Sequence, residues 1–164
     1  MNTQEQYKNY VINHIDNVKK GFDMLLPYLT IFNLSEHELN ELKHNVEHHD
    51  DSKFSNEEFL PYAEYFYGNK TEVAKKNFKI AVKIHKERNS HHPEYWEAKN
   101  LAMPPIAIIE MVLDWYSFSL DKNDNNEIFD FYEKNKHKLS PQINASVEQV
   151  LQLIKKLNKP KNKK

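Results

Sequence analysis

Apolar residues recur at steps of three or four through most of the chain. Tyr7, Val11, Ile15, Val18, Phe22, Leu25 and Leu29 keep that spacing, which is the period of one helix face. A first helix is therefore predicted over about 4–32, with Pro27 placed to kink it near its end. Ser35 and Glu38 have capping-box spacing, in which a hydroxyl and a carboxylate each satisfy a free backbone N–H. They predict a second helix ending near His49. Ser55 and Glu58 repeat the signature, with Phe54 and Phe59 positioned as a hydrophobic staple, so a third helix runs to about Gly68. Thr71 caps a fourth that reaches about Arg88, and residues 89–103 read as irregular or briefly helical. Pro104 and Pro105 open a long helix over 106–120, and another follows near 127–137. The Ser140–Pro141 pair starts a last helix over 142–157. Nothing alternates with period two. The prediction is an all-α fold, a single-domain bundle of about six to eight helices over 1–157 with a basic, disordered tail at 158–164.

Composition supports this picture. The 164 residues suffice for one domain with a real core, and 39% hydrophobic with 12% aromatic content argues against disorder. Only two glycines are present, too few for a protein built on tight hairpins. No apolar run approaches the roughly 20 residues of a membrane span. The start MNTQEQYKNY has no signal-peptide core, so the expectation is a cytoplasmic protein with no membrane partner. Six lysines lie in the last ten residues; subtracting them from the overall charge of −1 leaves the remainder at −7. No basic face is left for a nucleic acid, and none is expected as a partner.

The absence of cysteine excludes disulfides, zinc ribbons and a cysteine nucleophile. Any metal must be held by His, Asp and Glu, a set that suits Mn, Fe, Co, Ni, Zn or Mg without selecting among them. Nine histidines are available. His14 lies beside the buried stripe of the first helix, where it is either a hydrogen-bonded core histidine or a ligand. The run His48, His49, Asp50, Asp51 closes the second helix, as a solvated end or as two donors straddling one face. Asp114 stands inside the apolar run IEMVLDWYSF with Glu110 four residues earlier on the same face. A buried carboxylate needs a cation against it, whether a metal, a His or an Arg. His85 follows the stripe of Phe78 and Ala81, while His91 and His92 precede Pro93 in the irregular stretch; each reads equally as a surface or cap histidine. Imidazoles and carboxylates offered by several helices to one interior make a divalent-metal site. A ferritin-type di-iron bundle fits less well, since only Glu41 to His44 has the Glu-x-x-His spacing.

A His, then a His-Asp doublet, then a later helical Asp resembles the HD-domain superfamily of metal-dependent phosphohydrolases. The positions are His14, His49, Asp50 and Asp114, and the run HDDSK at 49–53 is similar to His-Asp-x-Gly-Lys with Ser52 in place of Gly. The phrases HHDDSKFSNEEF, HHPEYW and EMVLDWYSF also look like a small family of uncharacterised bacterial and phage proteins. The superfamily resemblance implies that His14, His49, Asp50 and Asp114 bind metal. It implies that Lys53 contacts a substrate phosphate or orders the site, and that His85 with His91 or His92 matches the extra histidines of two-metal members. It leaves room for a homodimer.

The expected activity is hydrolysis of a nucleotide or other small phosphoester by a metal-activated water. Lys53, Arg88 and the loop histidines would neutralise phosphate oxygens, and an acid such as Glu110 or a His would protonate the leaving oxygen. Two rival readings accompany it. One is a di-iron, oxygen-activating HD protein. The other is a non-catalytic helical module that binds a ligand or protein through aromatics such as Tyr62, Tyr65, Phe66, Tyr67, Tyr95, Trp96, Trp115, Tyr116 and Phe118.

Overall fold

A computed structural model describes residues 2–158. Among the described residues there are eight α-helices, three short 3-10 segments and no strand. The predicted basic tail begins at Asn158, which caps the last helix, and otherwise lies outside the described residues.

Helix α1 (Thr3–Leu25) starts at Asn2, whose side chain accepts from the Glu5 N–H. It ends sooner than predicted: residues Leu26–Phe32 tighten into a 3-10 segment with Pro27 in its first turn. Proline has no N–H to continue the α-helical ladder, so the helix changes type there. Helix α2 (Glu36–Glu47) opens with the complete Ser35–Glu38 capping box. Helix α3 (Asn56–Tyr67) begins after Ser55, but the second predicted capping box is not made. Arg88 donates to the Ser55 hydroxyl and Glu58 is fully buried, so neither side chain serves the backbone. The Phe54–Phe59 staple is present, with ring centroids 6.3 Å apart. Thr71 caps α4 (Glu72–Arg88) as predicted. The irregular stretch contains the short α5 (Pro93–Glu97). Helices α6 (Pro105–Lys122), α7 (Glu127–Asn135) and α8 (Pro141–Leu157) complete the bundle.

The apolar α6 is the hub, packed on α1, α2, α7 and α8. The larger core joins Val18, Phe22 and Leu25 of α1 to Leu42, Leu113, Tyr116 and Ile154. A smaller core joins Tyr7, Val11 and Ile15 to Tyr62, Ala63 and Ala81 of α3 and α4. One helix thus runs through both cores, and His14 lies where it passes between them. Gly21 permits close packing of α1 on α6, since a Cβ there would sit 3.2 Å from Tyr116 and 3.3 Å from Leu113. No helix among the described residues is long and apolar enough to cross a membrane.

Candidate metal centre

Helix α2 stops at Glu47, and the backbone turns over at Asp50 with φ 60 and ψ 16. Asp is one of the few residues that enter this left-handed region. On a continuing helix, neighbouring side chains diverge by about 100°. The turn cancels that divergence, so His49 and Asp50 are both almost fully buried, 1% and 2% exposed. Ser52 falls in the following 3-10 turn, Asp51–Phe54, and is not among the left-handed residues. This turn therefore needs no glycine at position 52. The Ser52 hydroxyl instead donates to Glu58 at 3.1 Å.

Four imidazoles close around Asp50. On one side, His14 Nε2 lies 3.3 Å from Asp50 Oδ2 and 3.1 Å from Asp114 Oδ1. His49 Nε2 lies 3.7 Å from each of the same two oxygens. On the other side, His85 Nε2 and His91 Nε2 lie 3.2 and 3.5 Å from Asp50 Oδ1. The two carboxylate oxygens of Asp50 are thereby shared between two donor sets. His92 joins His85 and His91, the donor atoms of the three lying within 4.8 Å of one another.

Each ring is held from behind. His14 Nδ1 faces the Ser117 hydroxyl at 2.9 Å, and that hydroxyl donates its own hydrogen to the Asp114 carbonyl. The Nδ1–H of His14 therefore donates to the serine oxygen. His49 Nδ1 meets Glu110 Oε1 at 3.0 Å, and His91 Nδ1 lies 3.3 Å from the same oxygen. His85 Nδ1 meets Glu58 Oε2 at 2.8 Å. An acceptor behind each Nδ1 turns Nε2 inward, the arrangement that supports metal-binding histidines once Nε2 gives up its proton. Those inward atoms lack partners: His14, His49, His91 and His92 Nε2 and Asp50 Oδ1 are buried without an aligned hydrogen bond. Buried polar atoms are rarely left so. Two ligands about 2.1 Å from one ion sit roughly 3.0–3.4 Å apart, close to the separations above. The residues present fit a divalent cation.

Charge is arranged accordingly. Burial works against the imidazolium of His49, but Asp50, Asp114 and Glu110 outweigh it and push its pKa up to about 10. His14 and His85 are raised in the same way, burial being overcome by the nearby carboxylates of Asp114 and Asp50 and of Asp50 and Glu58 respectively. Burial also opposes ionisation of Asp50, yet Lys53 and His49 hold it well below the carboxylate range. Asp114 is lowered likewise by His14 and His49. Glu110 is held ionised at about 2 by His49 and His91 despite its burial. His92 is driven to about 2 by burial and by neighbouring His91, and is neutral.

These facts sort the remaining candidates. Lys53 Nζ, half-buried beside the ring of Tyr62, lies 2.7 Å from Asp50 Oδ2, so it fixes the central carboxylate. Arg88 donates to Ser55 and Glu58 at 3.1 and 3.3 Å and lines a polar cavity of about 190 Å³ with His44, His48, Asn89 and Tyr95. Glu110 borders that cavity but, being ionised, has no proton to give; its geometry suits the orientation of two rings. Glu58 was hidden by its capping-box spacing; its one signal is Tyr62, four residues on and on the same buried face. Ser117 carries no signal beyond standing three residues after Asp114.

Residues 3–153 match a family of unknown function (DUF5662), and the chain belongs to that family. No curated protein and no solved structure matches the chain significantly.

Proposed function

We propose that this member of the family is a metal-dependent phosphohydrolase of the HD-domain type, built for two divalent ions. One observation carries the proposal: unpartnered inward Nε2 atoms of His14, His49 and His91 surround a carboxylate whose two oxygens are divided between them. His14, His49, Asp114 and Asp50 Oδ2 would hold one ion. His85, His91 and Asp50 Oδ1 would hold the other, with His92 beside them.

When bound, such ions polarise phosphoryl oxygens and lower the pKa of water toward neutrality. The chain supplies the rest. Asp50 and Asp114 give the negative charge, Lys53 locks the orientation of Asp50, and Glu58, Glu110 and Ser117 keep the rings aimed. Arg88, in the polar cavity, keeps guanidinium donors for phosphate oxygens beyond those it gives to Ser55 and Glu58. Hydrolysis would split the P–O ester bond, with water giving hydroxyl to phosphorus and a proton to the departing alcohol.

The test is metal content by mass spectrometry on untagged protein, with His49→Ala and Asp114→Ala beside it, followed by hydrolysis of p-nitrophenyl phosphate. About two equivalents in the wild type, reduced in both variants, with metal-dependent phosphate release, is the expected result. No metal after reconstitution with Mn, Fe or Co overturns the proposal. The same doubled donor set supports a second reading, oxygen activation at two irons, which iron content with near-ultraviolet absorption and no phosphatase activity would favour.

A further inference from the structure

A second cavity reaches the centre between α5, α6 and α7. It encloses about 360 Å³, and Asp114 and His92 form part of its wall. That volume lies within the roughly 300–1,000 Å³ of small-molecule sites, whereas the polar cavity on the Arg88 side falls below it. Met111, Trp115, Phe118, Phe131 and Leu139 supply apolar lining. The rings of Trp115 and Phe131 are 5.2 Å apart and tilted by 53°, and Phe131 is 39% exposed. A site reserved for water and inorganic phosphate has no use for such walls, because apolar surface gains nothing from a hydrated anion.

Some of the polar groups around this cavity are engaged with one another, whereas His92 Nε2 is not. Lys86 donates to Glu94 at 2.6 Å. Lys138 donates to the side-chain oxygen of Asn135 at 2.8 Å, and the Asn135 side-chain amide donates to the Phe131 backbone carbonyl. The edge of a nucleobase requires free donors and acceptors, and a sugar requires more. Along the wall built by Phe118, Phe131 and Leu139 the side chains offer none. An aromatic ring without a polar edge needs only faces to lie on.

We infer that this cavity receives the organic part of the substrate and that this part is an apolar aromatic group, so that the enzyme acts on aryl phosphoesters rather than on nucleotides or sugar phosphates. The inference rests on the phosphohydrolase reading above. It assigns different walls around the metal centre to different parts of the substrate: phosphate oxygens toward Arg88, the aryl group toward Trp115 and Phe131.

The test is calorimetric titration of manganese-loaded protein with 1-naphthylmethylphosphonate, which cannot be hydrolysed, against methylphosphonate. The naphthyl compound should bind at least about tenfold more tightly, as expected for one stacked ring. Phe131→Ala and Trp115→Ala should each remove most of that advantage and leave methylphosphonate unchanged. Because Trp115 also packs on the larger core, the exposed Phe131 provides the variant expected to fold. Equal binding of the two phosphonates, or an advantage that survives Phe131→Ala, overturns the assignment. Binding of 1-naphthol that depends on Phe131, without binding of either phosphonate, keeps the aromatic cavity and removes the phosphohydrolase reading instead.

Discussion

Glu110 stands behind two inward imidazoles at once, one from each side of Asp50. Its Oε1 accepts from His49 Nδ1 at 3.0 Å and lies 3.3 Å from His91 Nδ1. Removing a partner of this kind costs roughly 10–100-fold in metal affinity, which is about 1.4–2.7 kcal/mol. Glu110→Ala strips both rings and leaves two buried N–H groups unpaired, each at about 1–3 kcal/mol. Affinity should therefore fall toward the hundredfold end at both donor sets, and stability should fall by about 2–6 kcal/mol. Glu110→Gln keeps an acceptor in place and loses only the charge, so about tenfold is expected. The assay is competition for Mn(II) between the protein and a fluorescent chelator at fixed pH, with circular dichroism to verify the fold. If folded Glu110→Ala holds Mn(II) as tightly as the wild type, the orientation of these rings does not serve a metal.

Two further outcomes follow from the charges and caps. His14, His49 and His85 have pKa values raised above the ordinary 6.5 by Asp50, Asp114, Glu58 and Glu110, so the metal-free fold holds more protons than the unfolded chain above that pH. Its stability should fall as pH rises from about 6.5 toward about 10, while apparent metal affinity rises over the same window as those protons are displaced; flat thermal melts of chelator-treated protein across this range would contradict it. Ser35→Ala should cost about 1 kcal/mol in denaturant unfolding, because it breaks a complete capping box, whereas Ser55→Ala should cost well under that, because Ser55 makes no cap bond. Equal costs would contradict the difference between the two helix starts.

The sequence announced the helices because a 3.6-residue period repeats over many positions, and it announced Asp114 because a carboxylate stands out in an apolar run. It misled where one spacing served two ends. Ser55 and Glu58 have the form of a cap, yet Glu58 turns inward to His85, and only tertiary contacts decide between those partners. Nor could it rank His91 against His92, since adjacent loop rings point wherever the backbone sends them. The fold brings His91 to both Asp50 and Glu110 and leaves His92 neutral at the edge of the aromatic cavity. The first helix was overdrawn because its apolar stripe continues to Leu29 even though the helix type changes at Leu26.

The division of the interior into two apolar cores has a consequence for how the molecule opens. Helix α4 is anchored to α3 and α5 and reaches the Asp50 cluster through His85, while α6 and α8 belong to the larger core. A bound ion would tie the smaller core to the larger one across Asp50. Withdrawing it would lower the free energy of local opening for α3 and α4 far more than for α6 and α8. Amide hydrogen exchange should then report two populations of protons in chelated protein, fast over α4 and slow over α6, that merge toward one when metal is restored.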